Sequence, residues 1–79
     1  MELYIRLRAL RKEEKESQES IARSIGITVR QYQRYEYGEQ KPNFDNLCAL
    51  ADHFGVSLDY LAGRTEVREI AGQQQRDPE

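Results

Sequence analysis

The chain has little of what small proteins use to brace themselves covalently or through metals. Its 79 residues include one cysteine, Cys48, and one histidine, His53. A lone thiol cannot close an internal disulfide, and one thiol with one imidazole falls short of a four-ligand zinc site. Tryptophan is absent. No apolar run approaches the roughly 18 residues of a membrane-spanning helix, and Met1 to Lys12 interleave charges with apolar positions, unlike a secretory leader. A cytoplasmic location is expected. With no glycine-rich phosphate cradle and no converging set of titratable groups, neither catalysis nor a cofactor or metal is expected. Cys48 reads as a helix-packing residue and His53 as a helix-end side chain favoured by the negative end of the dipole.

What is present fits one small domain. Hydrophobic residues make up 38% and charged residues 33%, against typical values of about 45–50% and about 25%. A chain this short buries only about 60% of its unfolded surface, so close helical packing, a partner subunit or both must supply the remaining stability. The net charge is −2, which argues weakly against a polyanionic partner. Its distribution says more. Residues 1–41 carry nine basic and seven acidic side chains, whereas residues 42–79 carry three and seven, so a polyanion is expected to meet the N-terminal half.

Apolar spacing and capping residues predict five helices and no strands. Leu3, Leu7 and Leu10, widened by Tyr4 and Ile5, form the stripe of the first, with Arg6, Arg8, Arg11 and Lys12 between them. The run from Arg11 to Glu16 reads as a solvated helix end. Ser17 caps the second helix, which buries Ile21, Ala22 and Ile25 and stops at Gly26, a residue that tolerates the left-handed backbone of a C-cap. Thr28 with Gln31 fits a capping box and opens a third helix over 29–37 that ends at Gly38. Asn43 caps a fourth, with Phe44, Leu47, Leu50, Ala51 and Phe54 on one face, and Gly55 closes it. Ser57 caps a fifth, carrying Leu58, Leu61 and Ala62, which Gly63 ends. Residues 1–63 form the domain. Residues 64–79 form a short extension in which Val67, Ile70 and Ala71 can make one more amphipathic turn before a frayed end.

The second and third helices with their glycine turn define a helix-turn-helix. On a helical wheel Tyr32, Val29, Tyr35 and Glu36 share the inward side of the third helix, while Arg30, Gln33, Arg34 and Tyr37 point away. Arginine can bond the O6 and N7 edge of guanine, glutamine can pair with adenine, and Val29 can touch a thymine methyl, so this face suits the major groove. The same residues could simply solubilise an exposed helix, and composition alone leaves both uses open.

The stretch from Ser17 through Gly26 to Thr28, continuing through Tyr32, Tyr35-Glu36 and Gly38 to Pro42, resembles the Cro and phage-repressor (XRE) helix-turn-helix family. Leu10-Arg11 upstream, and Asn46-Leu47, Leu50-Ala51 and Phe54 to Gly63 downstream, extend the likeness to about Leu7 to Gly63. The resemblance implies an all-α, five-helix lambda-repressor-like domain and a dimeric transcriptional regulator, most simply a repressor, bound to a double-stranded DNA operator. It places the base-reading residues at Val29, Arg30, Gln33 and Arg34. It places a phosphate-clamping glutamine at Gln18; Arg23, Thr28, Gln40, Lys41 and Asn43 are further candidate phosphate contacts, and the exposed Tyr37 can either approach a phosphate or stack on the fold surface. It also pairs Arg11 with Glu36, a bridge that fixes the recognition helix against the first.

Two departures from the family pattern stand out. Lys15-Glu16 replaces the usual glycine and leucine before the second helix, removing a flexible residue and an apolar contact. Tyr32 and Tyr35 replace an aliphatic residue and a tryptophan, and each hydroxyl then needs a partner. A rival function is a protein-interaction module of the same fold, such as an antitoxin-like or regulator-binding subunit. Val56, Leu58, Tyr60, Leu61, Val67 and Ile70 are the apolar positions available to pair subunits, as a homodimer would also require.

Overall fold

A computed structural model describes residues 1–70 of the chain. Five helices follow in order: α1 Leu3–Glu13, α2 Gln18–Ile25, α3 Val29–Glu36, α4 Phe44–Phe54 and α5 Leu58–Leu61. No strand occurs among the described residues. Four of the five begin on a side-chain cap. The oxygens of Ser17, Thr28, Asn43 and Ser57 accept from the backbone N–H three residues on, at 3.0, 3.0, 2.8 and 2.9 Å, each cap stabilising its helix by about 1 kcal/mol. Gly26, at φ 78°, closes α2. The capping box at Thr28 is half-formed, because the Gln31 amide donates to the Tyr35 hydroxyl at 3.1 Å instead of turning back.

α3 packs on α1 and α2, α4 on α2 and α5, and α5 on α1. The core joins Leu7 and Leu10 of α1, Ile21 and Ala22 of α2, Tyr32 and Tyr35 of α3, Leu50 and Ala51 of α4, Val56, and Leu61 of α5. Val56 and Leu61 are therefore closed to a second subunit; of the apolar pairing positions, Val67 is exposed and Leu58, Tyr60 and Ile70 are half-buried. Ile5 lies exposed, since it falls about 160° from Leu7 on the wheel and outside the stripe. Phe44 is 69% exposed; it opens α4 at the edge of its apolar face, ahead of the buried Leu50 and Ala51.

Arg6, which the spacing sets between the apolar positions of α1, is buried. Its Nη1 donates to the carbonyls of Tyr60 and Thr65 at 2.8 and 2.9 Å, its Nη2 reaches the Glu66 carboxylate, and the guanidinium lies 3.9 Å from the centre of the Tyr60 ring. These contacts draw residues 64–70 back across α5 as an irregular strap in place of the expected helical turn. Ser57 fixes the strap further, its N–H donating to the Arg68 carbonyl at 2.8 Å and its hydroxyl to that of Val67 at 3.1 Å. The carbonyls of Thr65, Val67 and Arg68 thus bond to Arg6 and Ser57 in place of helical N–H partners. The rest of that turn, from Ala71, lies outside the described residues.

The turn before α2 accommodates Lys15 in a left-handed backbone, φ 58°, where glycine has no steric penalty. Glu16 beside it leaves the solvated run: its carboxylate meets His53 Nε2 at 2.7 Å and accepts from the Ser20 hydroxyl at 3.1 Å. His53 thus has a side-chain partner as well as its place in the last turn of α4.

Candidate nucleic-acid interface

The inward side of α3 is built around a carboxylate. Glu36 is 1% exposed, and an isolated buried charge is costly. Four donor contacts meet it. Arg11 Nε lies 2.5 Å from Oε2 and Arg11 Nη2 3.1 Å from Oε1; the Tyr32 hydroxyl donates to Oε2 at 2.6 Å and Gln18 Nε2 to Oε1 at 3.0 Å. Burial pushes the Glu36 carboxyl up, but hydrogen bonds from Arg11, Tyr32 and Gln18 together hold it below the usual carboxylate range. Burial and the Glu36 carboxylate push the Tyr32 phenol up, and the hydrogen bond to Glu36 raises Arg11, so the pair is ionised and the phenol a donor.

Further contacts hold the C-terminal end of α3. Arg8 Nη2 donates to the Glu36 carbonyl at 3.0 Å, satisfying one of the carbonyls a helix C-terminus leaves free. The Tyr35 hydroxyl also accepts from Asn46 Nδ2 at 2.8 Å, tying α3 to α4. Gly38, at φ 77°, lies against the Tyr4 ring, where an added Cβ would stand 3.1 Å from the ring edge. The chain therefore turns sharply away just past the helix.

The outward side is free. Arg30 and Arg34 are exposed, Gln33 and Val29 half-buried, and Tyr37 is 53% exposed at the C-cap. One polar cleft is lined by Arg30, Gln33, Arg34, Tyr37 and Glu39. A second, beside it, is lined by Thr28, Arg30, Gln31, Arg34 and Gln40. The structure so brings Arg30, Gln33 and Arg34 together with Thr28, Tyr37 and Gln40. Arg23, Lys41 and Asn43 are exposed but line neither cleft. Thr28 and Asn43 already use a side-chain oxygen as a cap. Gln18 is engaged at both ends of its amide, to Glu36 and from Gln33 Nε2 at 3.0 Å.

The cations are sorted by whether they have a partner. Arg6, Arg8, Arg11, Arg64 and Arg68 each reach an acceptor within the protein. Arg23, Arg30, Arg34 and Lys41 reach none among the described residues, nor do Lys12 in the last turn of α1 and Lys15 just beyond it. The structural roles of Arg6 and Arg8 were not expected from the sequence. Arg6 carried a usable signal, because it falls about 40° from Leu10 on the wheel, at the margin of the apolar stripe.

A family model described as helix-turn-helix matches residues 7–61. Over 61 residues, 77% of this chain and 54% of the relative, the sequence is 44% identical to YobD, an uncharacterized HTH-type transcriptional regulator of Bacillus subtilis. Over 64 residues, 81% of this chain and 57% of the relative, it is 39% identical to RstR, a cryptic phage CTXphi transcriptional repressor of Vibrio cholerae. The chain thus spans about half the length of these curated relatives. Among solved structures it resembles the P22 c2 repressor in complex with a synthetic operator, with TM-score 0.78 and 31% identity over 82% of this chain and 98% of that one. The DNA-binding domain of the same repressor in solution aligns with TM-score 0.74 and 33% identity, covering 77% and 80%.

Proposed function

This chain belongs to the Cro and phage-repressor (XRE) helix-turn-helix family, and from that membership we propose that it is a sequence-specific DNA-binding transcriptional regulator, a repressor, acting on duplex DNA in the cytoplasm. The observation that carries the reading is the sorting of the cations. Arg6, Arg11 and Arg68, on α1 and the strap, are paired with carboxylates and Arg8 bonds to a carbonyl, while Arg30 and Arg34 have no acceptor among the described residues and stand on the outward face of a helix braced from behind. Unpaired arginines on a rigid helix are what bidentate recognition of guanine edges requires. Val29, Arg30, Gln33 and Arg34 are the base-reading set. Gln18, Arg23, Thr28, Tyr37, Gln40, Lys41 and Asn43 hold phosphates, Gln18 through its second amide hydrogen and the free backbone N–H groups at the start of α2.

The regulator acts as a homodimer, because one α3 spans only one half-site. The salt dependence of duplex binding tests the reading. With about six phosphate contacts per dimer, log affinity falls against log salt with a slope near −5. A flat response, or no binding at low ionic strength, refutes it and favours a protein partner.

A further inference from the structure

The hydrogen bonds around Glu36 do not stop at the core. Glu36 is an ionised carboxylate that can only accept, so the Gln18 amide facing it must present its nitrogen inward, and its oxygen is turned toward α3. There the oxygen accepts from Gln33 Nε2 at 3.0 Å. The sense of the chain is therefore fixed from within: Arg11 and Tyr32 set Glu36, Glu36 sets Gln18, and Gln18 takes one of the two N–H groups of Gln33. Gln33 keeps its carbonyl oxygen and a single N–H for any ligand at the outward face.

We propose that Gln18 is a specificity-positioning residue that makes Gln33 select adenine over guanine at one base pair of the operator. The inference rests on the DNA-binding reading above and deepens it. Adenine offers the major groove one acceptor, N7, and one donor, the N6 amino group, matching the single N–H and the carbonyl that remain on Gln33. Guanine offers two acceptors, N7 and O6. A glutamine with both N–H groups free can serve both; Gln33 with one N–H held by Gln18 cannot, and its carbonyl would face O6. Gln18 itself need not touch the base. Arg30 and Arg34 lie outside this chain of bonds, so the effect is confined to the position that Gln33 reads.

The test selects bound sites from random duplexes with the full chain as wild type, Gln33→Ala and Gln18→Met, each checked for helicity by circular dichroism. The wild type enriches adenine at one position where Gln33→Ala loses all preference. Gln18→Met keeps the preferences at the other positions but lowers the adenine-to-guanine ratio there by about fivefold or more, the lower end of what one bidentate contact discriminates. A general fall in affinity does not mimic this, because removing a phosphate contact weakens all sequences alike. If Gln18→Met unfolds the chain, Gln18→Ala removes the same amide without filling the space. An unchanged ratio in a folded Gln18 variant, or no position that depends on Gln33, overturns the inference and leaves the DNA-binding reading standing. A wild type that enriches no sequence overturns both.

Discussion

Replacing Arg11 by methionine keeps most of the aliphatic stem and removes the charge opposite Glu36. Three side-chain hydrogen bonds go with it: two to the Glu36 carboxylate and one from Nη1 to the Glu16 carbonyl at 3.2 Å. The Tyr32 and Gln18 donors remain, but the carboxylate is 1% exposed and has no cation. Breaking a buried pair from one side costs about 3–5 kcal/mol. A chain of this length has roughly 4–12 kcal/mol of stability in total, so the thermal midpoint should fall by tens of degrees, at about 4–8 °C per kcal/mol. The pH dependence carries the more specific signature. In the wild type the folded-state value of Glu36 is lowered, so its contribution is present above the ordinary carboxylate value of 4.5 and is lost as pH falls through the folded value. In Arg11→Met burial acts without the arginine to oppose it and raises the folded value. The folded variant then holds a proton that the unfolded chain has released, and its stability falls as pH rises above 4.5. The stability difference between the two proteins, from urea titrations at about pH 4 and about pH 7, is therefore largest at neutral pH and shrinks on acidification. A difference below about 1 kcal/mol at neutral pH, or one that does not change with pH, refutes the reasoning.

Other perturbations follow from single contacts. Lys15→Gly relieves the left-handed backbone at φ 58° and should stabilise the fold by about 0.5–1 kcal/mol; a lower thermal midpoint would contradict this. Arg6→Met removes the guanidinium donor of the Thr65 carbonyl and leaves the Tyr60 carbonyl with the Gly63 N–H alone, so amide exchange at Ser57 and residues 64–70 should accelerate well before global unfolding, and unchanged protection would show that the strap is held by other contacts. Lys41→Ala should weaken all duplexes alike and make the salt slope shallower by about 1, whereas Arg34→Ala should cost about 1–3 kcal/mol on the preferred site and relax one position. Equal losses on every sequence for Arg34→Ala would move that residue to a phosphate.

Where the sequence was readable, the physics was local. A cap is decided within four residues, so Ser17, Thr28, Asn43 and Ser57 marked their helices before any tertiary contact was known. The inward side of α3 was also readable, because Tyr32, Tyr35 and Glu36 share one face at a period that needs no knowledge of what packs there. What escaped depends on distant chain. Arg6 is buried by carbonyls 54 and 59 residues away, and the Glu16–His53 contact spans 37 residues. Phe44 failed for the opposite reason: its spacing fits the apolar face, but periodicity does not say where along a helix the covering elements end. The amide bonds of Gln18 could not be read either, since its spacing from Glu36 and Gln33 says nothing until α2 and α3 are set side by side.

The pairing of some arginines and not others bears on encounter as well as on contact. A chain of net charge −2 approaching a polyanion is repelled on average, yet Arg30 and Arg34, without an acceptor among the described residues, sit together on α3, with Arg23 likewise free on the adjoining α2. Because Arg6, Arg11 and Arg68 are each held by a carboxylate, they do not blur that asymmetry with positive potential elsewhere. The result is a torque: collisions with the wrong face are turned away, and those presenting α3 are drawn in, with a strength that fades over the Debye length of about 8 Å at physiological salt. Association is thereby oriented before the first hydrogen bond forms.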